Sequence, residues 1–224
     1  MSEPVMAGHG GSPPATQSMS PAWRLLVTLG GAGALAGLMI VTTFQKTLPA
    51  IEANKARVLE GAIREVLRDP PRYDTLYLVS GALTARLPQG ADPKTLEKVY
   101  LGRREDGSRA GFAIASAQPG FADVIQVLFG YDAAEKRVIA MKVVANKETP
   151  GLGDKIVKDT MFVNEFENAA APLLGVKQGA GKGNAGEVDM ITGATISSRT
   201  VIRIINDAVT RWQPLLDAYR EETP

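Results

Sequence analysis

The sequence predicts an α+β fold, an antiparallel sheet with flanking helices, preceded by a single N-terminal transmembrane helix. Three observations predict it. An uncharged apolar run lies near the amino terminus, two successive hairpin patterns fill the middle, and an amphipathic helix closes the chain.

The order of elements follows from the residues. Residues 1–22 form a tail rich in Gly, Ser and Pro, a composition that does not fold by itself. Leu25 to Phe44 is a run of twenty residues without a charge, the length a helix needs to cross a bilayer, which places the span at residues 23–45. A cleaved signal peptide would have a shorter apolar core and a basic leader, whereas only Glu3 is charged before Arg24, so the segment reads as a retained anchor. Gly30, Gly33, Ala34 and Gly37 set small residues four apart, a spacing that suits close approach of another membrane helix and is also common in such helices generally. Arg24 on one side against Lys46, Lys55 and Arg57 on the other mildly favours a cytoplasmic soluble domain, but long domains translocate regardless of so small a bias.

Residues 46–224 form the remaining domain. Ile51, Val58, Leu59, Ala62, Ile63, Val66 and Leu67 repeat at helical spacing until Asp69-Pro70-Pro71 stops them. Thr75 to Val79 reads as a strand. Val99 to Arg104 and Ala110 to Ala115 flank Asp106-Gly107 as a hairpin, and Val124 to Tyr131 with Val138 to Val144 form a second one around Asp132 to Lys136. Asp154 to Phe166 has mixed helical spacing, and Gly175 to Gly186 reads as a flexible glycine-rich loop. Val201, Ile204, Ile205, Ala208, Val209, Trp212, Leu215 and Leu216 make one apolar face of a helix about four turns long.

Composition excludes several kinds of chemistry. The chain has 25 basic and 24 acidic residues, so no bulk field points to nucleic acid. It has no cysteine, which removes thiolate catalysis, disulfides and cysteine-ligated clusters. The single histidine, His9, lies in the tail, leaving no base or haem ligand of that type in the domain. Redox chemistry here needs a brought-in cofactor.

Gly181-Lys182-Gly183-Asn184-Ala185-Gly186 satisfies G-x-G-x-x-G literally, but Glu187-Val188-Asp189 and another turn follow where a dinucleotide site needs a helix. A P-loop fails because Gly183 follows Lys182. Two other stretches carry more chemistry. Asp189-Met190-Ile191-Thr192-Gly193-Ala194-Thr195-Ile196-Ser197 runs into the last helix and sets Thr192, Thr195, Ser197 and Ser198 hydroxyls beside the free N–H groups of a helix start, where an anion is favoured. The plainer reading is that Ser197 or Ser198 caps an ordinary helix. In Lys147-Glu148-Thr149-Pro150-Gly151-Leu152-Gly153-Asp154-Lys155, one proline and two glycines shape a turn whose N–H groups can face a phosphate or ring edge, or simply close a loop.

Asp189 with Thr192-Gly193-Ala194-Thr195-Ile196-Ser197 resembles the flavinylation motif of the FMN-binding domain family shared by the G subunit of the Rnf electron transport complex and the C subunit of the sodium-translocating NADH:quinone reductase. Glu148-Thr149-Pro150-Gly151-Leu152-Gly153 is similar to a second signature of that family. The resemblance implies covalent FMN, joined through its phosphate to the last motif hydroxyl by a flavin transferase that uses FAD. Carried over, the acceptor is Ser197, with Thr195 as second candidate because relatives usually present a threonine. It further implies that the transferase reads Asp189, that Gly193 and Ala194 form the presenting turn, and that Glu148, Thr149, Gly151, Leu152 and Gly153 contact the flavin. Asn146 stands where relatives often have histidine, which removes a proton relay there. Lys155 is a candidate for offsetting the phosphodiester charge, or a solvated lysine.

The compact length resembles the Rnf subunit more than its quinone-reductase counterpart. That resemblance implies an electron carrier in an ion-translocating complex linking ferredoxin and NAD, in the bacterial inner membrane, with the flavin domain on the periplasmic side and membrane, flavin and iron–sulfur subunits as partners. A membrane-tethered flavin redox sensor or a flavin-free assembly adaptor is the alternative of another class.

Overall fold

In the computed structural model, residues 22–180 and 183–220 are described. Residues 1–21 of the tail therefore lie outside the described residues, as do Gly181 and Lys182 of the glycine-rich pattern, while Ala22 already belongs to a helix. The chain divides into two compact units, Met1–Ala53 and Asn54–Pro224.

Helix α1 spans Ala22–Val66, so the apolar run and the helix expected after it are one element. It contains the one helix among the described residues long and apolar enough to cross a membrane. Pro49 lies inside it without ending it. Only the last turns of the anticipated apolar stripe are buried: Ala62, Ile63, Val66 and Leu67 pack in the domain, while Ile51 and Val58 are exposed.

The second unit is built on an antiparallel seven-stranded sheet in the order β2-β1-β3-β4-β5-β6-β7. Its strands are β1 Arg72–Val79, β2 Ala82–Thr84, β3 Lys98–Arg103, β4 Arg109–Pro119, β5 Val124–Asp132, β6 Arg137–Ala145 and β7 Ala169–Ala170. Both expected hairpins form: β3 pairs with β4 through Val99–Ile114 and Leu101–Phe112, and β5 pairs with β6 through Phe129–Met141. Gly107 takes φ +81°, the left-handed value that the first hairpin turn requires.

Side-chain alternation gives the sheet two buried faces. Val99, Leu101, Phe112, Ile114, Ile125, Val127, Phe129 and Tyr131 face the main core, which is completed by Val201, Ile204, Ile205, Ala208, Trp212 and Leu216 of the closing helix. Tyr100, Ala113 and Leu128 face the other way onto Ala62, Ile63 and Val66 of α1 and onto Leu67 just beyond it. The closest approach there is at Gly130, where an added Cβ would stand 2.0 Å from the carbonyl oxygen of Val66.

Between β6 and β7 lie two short helices, α2 Lys155–Lys158 and α3 Thr160–Asn164, instead of one continuous helix. Asp159 divides them by capping α3, accepting from the Met161 and Phe162 amides. The segment expected as a flexible loop, Gly175 to Gly186, starts within β8 Leu174–Lys177 and leads into β9 Glu187–Met190, which pairs with β8 in parallel. Gly175 is there for packing, since a Cβ would come within 2.9 Å of both Ile202 and Met190.

Helix α4 spans Thr195–Ala218, 24 residues rather than about four turns. The added length lies largely at its start. Thr195 to Ser198 form a first turn whose polar and β-branched residues carry no helical apolar period in the sequence.

Candidate functional site

Three segments distant in sequence meet at the start of α4. They are the β4–β5 turn at Gly120–Asp123, the loop Glu148–Gly153 after β6, and the motif turn entering α4. Together they line a cavity of about 310 Å³ bounded by Phe121, Thr149, Leu152, Gly153 and residues 193–197. Both motifs found in the sequence are thus brought to one pocket. Sequence reasoning missed the third wall, Phe121; the Pro119-Gly120 turn signal between two apolar strands was its only trace.

One buried carboxylate, Glu148, does not itself line the cavity but is hydrogen-bonded to residues that do. Glu148 is 5% exposed and Ser197 2% exposed, and the Ser197 hydroxyl donates to Glu148 Oε2 at 2.6 Å. Glu148 Oε1 accepts from the Phe121 and Ala122 amides at 3.0 Å each, and from the Asp123 amide at 3.5 Å. Burial pushes the Glu148 carboxyl toward neutrality, but the Ser197 hydroxyl and these amides outweigh it and hold its pKa below the ordinary 4.5. Asn146, at the position where histidine was anticipated from the resemblance, accepts from the Glu148 amide at 3.2 Å and so fixes the backbone of that residue.

The motif hydroxyls occupy different environments. Ser198 is buried; its Oγ donates to the Ala194 carbonyl at 2.9 Å and accepts from the Ile191 amide at 3.2 Å. Ala194 is the helix N-cap residue and no side chain caps α4, so neither Ser197 nor Ser198 has the capping role that local spacing allowed. Thr195 is exposed at the pocket wall, and its hydroxyl reaches only the Ile191 carbonyl at 3.5 Å. Thr192 is exposed as well, and its amide donates to Gln178 Oε1 at 3.1 Å.

Gly193 takes φ +85°, turning the chain sharply into the helix. Asp189 lies in β9 and does not line the pocket. Its Oδ2 accepts from the Gly179 amide at 3.3 Å, while Oδ1 is buried without a hydrogen-bond partner among the described residues.

The loop of the second motif does not form the amide cradle that its glycines allowed. The Gly151 amide donates to Asp154 Oδ1 at 2.7 Å and the Leu152 amide to the Thr149 carbonyl at 3.1 Å, so both are spent closing the turn. Lys155 opens α2 and is not among the residues lining the pocket.

These residues fit a flavin mononucleotide by shape and polarity. A volume of about 310 Å³ lies at the small end of ligand pockets, enough for part of such a molecule. Phe121, Leu152 and Ile196 stand 67%, 51% and 53% exposed around the mouth, an apolar rim suited to a planar ring. The first amides of α4, which have no partner within the helix, lie at the same place and suit a phosphate.

Residues 120–210 match the FMN-binding domain family. The class is therefore a flavin-binding α+β domain joined to a helix of membrane-spanning length. The G subunit of the ion-translocating oxidoreductase complex of Pseudomonas aeruginosa is 32% identical over 200 residues, covering 85% of this chain and 87% of that protein. Its counterpart in Methanosarcina acetivorans is 26% identical over 186 residues, covering 83% and 92%. The chain belongs to this family of G subunits of ion-translocating oxidoreductase complexes, the Rnf family that its motifs resemble. Among solved structures, Shewanella oneidensis NqrC superposes with a TM-score of 0.62 at 16% identity, covering 75% of this chain and all of that one, which establishes the same fold.

Proposed function

We propose that this protein is the FMN-carrying electron-transfer subunit of a membrane-bound Rnf-type complex, with the flavin phosphate esterified to Thr195. The complex would couple electron transfer between ferredoxin and NAD to ion translocation, with membrane, flavin and iron–sulfur subunits as partners. Family membership supports the coarse assignment. The observation that carries the attachment point is the contrast between two hydroxyls on one helical turn. Ser197, the acceptor favoured by motif position, is buried and already bonded to Glu148, whereas Thr195 is exposed at the pocket.

An acceptor oxygen must reach the phosphorus of its donor, and Thr195 Oγ1 can do so without disturbing the fold. In the step proposed, a bond forms between Thr195 Oγ1 and the FMN phosphorus of FAD, the pyrophosphate bond breaks, AMP leaves, and the hydroxyl proton is taken by the transferase. The bound flavin supplies electron uptake and release. The protein orients it, shields one face at the apolar rim and faces its phosphate with the α4 amides. Retention by a bond in place of weak contacts suits a domain outside the cytoplasm, where free FMN is scarce.

The test is production with a flavin transferase followed by a denaturing gel under ultraviolet light. The wild-type band should fluoresce, Thr195→Ala should be dark, and Ser197→Ala should keep some signal. Mass spectrometry of the tryptic peptide running from Gly183 to Arg199 locates the adduct, and flavin on Ser197 would overturn the Thr195 assignment. Periplasmic placement is tested separately by a reporter fused after Pro224, since activity only in the cytoplasm would reverse it.

A further inference from the structure

Glu148, expected from the resemblance to contact the flavin, is instead a buried acid behind the pocket lining. Glu148 touches all three walls at once: its Oε1 takes the Phe121 and Ala122 amides of the β4–β5 turn, its Oε2 takes the Ser197 hydroxyl of α4, and its own backbone begins the second motif. Two glycines make room for it. A Cβ on Gly120 would lie 2.4 Å from Glu148 Oε1, and one on Gly153 would lie 2.5 Å from Oε2 and 3.0 Å from Ser197 Oγ. Neither glycine has a positive φ, so crowding and not backbone conformation excludes a side chain at both positions, by Glu148 and Ser197 at Gly153 and by Glu148 together with Ile125 at Gly120.

An isolated buried carboxylate is costly, and its retention here in a fully hydrogen-bonded state means that the surrounding backbone is built to hold it. Its partners come from segments 27 and 49 residues away in sequence, so it holds together parts that no local interaction would.

We propose that Glu148 is the positioning residue of the flavin site, a carboxylate clasp that locks the Phe121 turn and the first turn of α4 together and thereby presents the Thr195 hydroxyl. It acts through Ser197, which lies two residues beyond Thr195 on the same turn. This inference rests on the attachment reading above and assigns Glu148 and Ser197 to geometry, leaving the bond itself to Thr195.

Glutamine can keep the arrangement, because its carbonyl accepts from the Phe121 and Ala122 amides while its amide group donates to a rotated Ser197 hydroxyl. Alanine cannot, and leaves those amides and the hydroxyl without their partner. The rate of flavin loading by a transferase is therefore measured on full-length wild type, Glu148→Ala, Glu148→Gln, Ser197→Ala and the double alanine variant, each first checked for a cooperative thermal transition. Glu148→Ala should load about tenfold or more slowly while still folding, Glu148→Gln should recover most of the rate, and the double variant should be no slower than Glu148→Ala. Gly153→Ala, whose added methyl meets Glu148 and Ser197 first, should slow loading as Glu148→Ala does.

Hydrogen exchange on the flavin-free protein reads the clasp directly. Glu148→Ala should raise exchange together at the Phe121–Ala122 amides and in the first turn of α4 while leaving β5 unchanged. Loading of Glu148→Ala at the wild-type rate, or failure of glutamine to restore a lost rate, overturns the positioning role and leaves the attachment reading standing. A wild-type protein that takes no flavin overturns both.

Discussion

Ser197 and Thr195 lie two positions apart on one helical turn, yet one side chain faces inward and the other faces the pocket. Residues two apart on a helix point about 200° from each other, so a motif containing both must bury one when it exposes the other. The sequence named both hydroxyls and favoured Ser197 by motif position, but which of them is accessible depends on which way α4 sits on the sheet. Glu148 likewise appeared in a legible motif, while its partnership with Ser197, 49 residues away, had no local signature. Glu148 also gives a pH prediction. Its pKa is lowered on folding, because the Ser197 and amide hydrogen bonds outweigh burial, so it stabilises the fold above the ordinary value of 4.5, and that contribution is lost as pH falls through the lower folded value. Urea titrations below pH 4.5 should show wild type losing stability more steeply than Glu148→Gln; parallel curves would mean that the carboxylate is not held ionised.

Among the elements, the long strands were legible because they are β-branched runs with turn residues at the correct positions, as at Asp106-Gly107. The strands that sequence reading passed over, β2, β7, β8 and β9, are two to four residues long, too short for alternation to register. Their pairing is dictated by neighbours and not by their own pattern. Contact between α1 and β5 was equally invisible, since it depends on the absence of a side chain at Gly130. Gly130→Ala should destabilise the domain by roughly 1–3 kcal/mol or more, because its Cβ would meet backbone at Val66 that cannot rotate aside. Chemical denaturation checks this, and an unchanged midpoint would show that α1 does not pack there as described.

For the whole molecule, the boundary between compact units falls at Ala53/Asn54, inside α1 and several residues beyond the apolar run. A protein beginning at Asn54 should therefore keep the α1 residues that cover the sheet and unfold in a single cooperative transition. One beginning after Val66 loses Ala62, Ile63 and Val66 and should expose Tyr100, Ala113 and Leu128, with aggregation as the measurable result. Fold class and family were legible at this scale because they rest on the order of elements and on two motifs. The start of the compact unit was not, because the residues on either side of it belong to one uninterrupted helix.

The sequence separation inside the clasp also sets a timetable. Glu148 emerges from the ribosome well before Ser197, and the helix bearing Ser197 is the last element among the described residues. A nascent or truncated polypeptide can contain the entire Glu148–Gly153 loop and still have no pocket. If Thr195 is loaded only when the clasp is shut, the attached flavin is a certificate of completed folding, and a short peptide carrying residues 189–199 should be a poor substitute for the intact domain in the loading reaction.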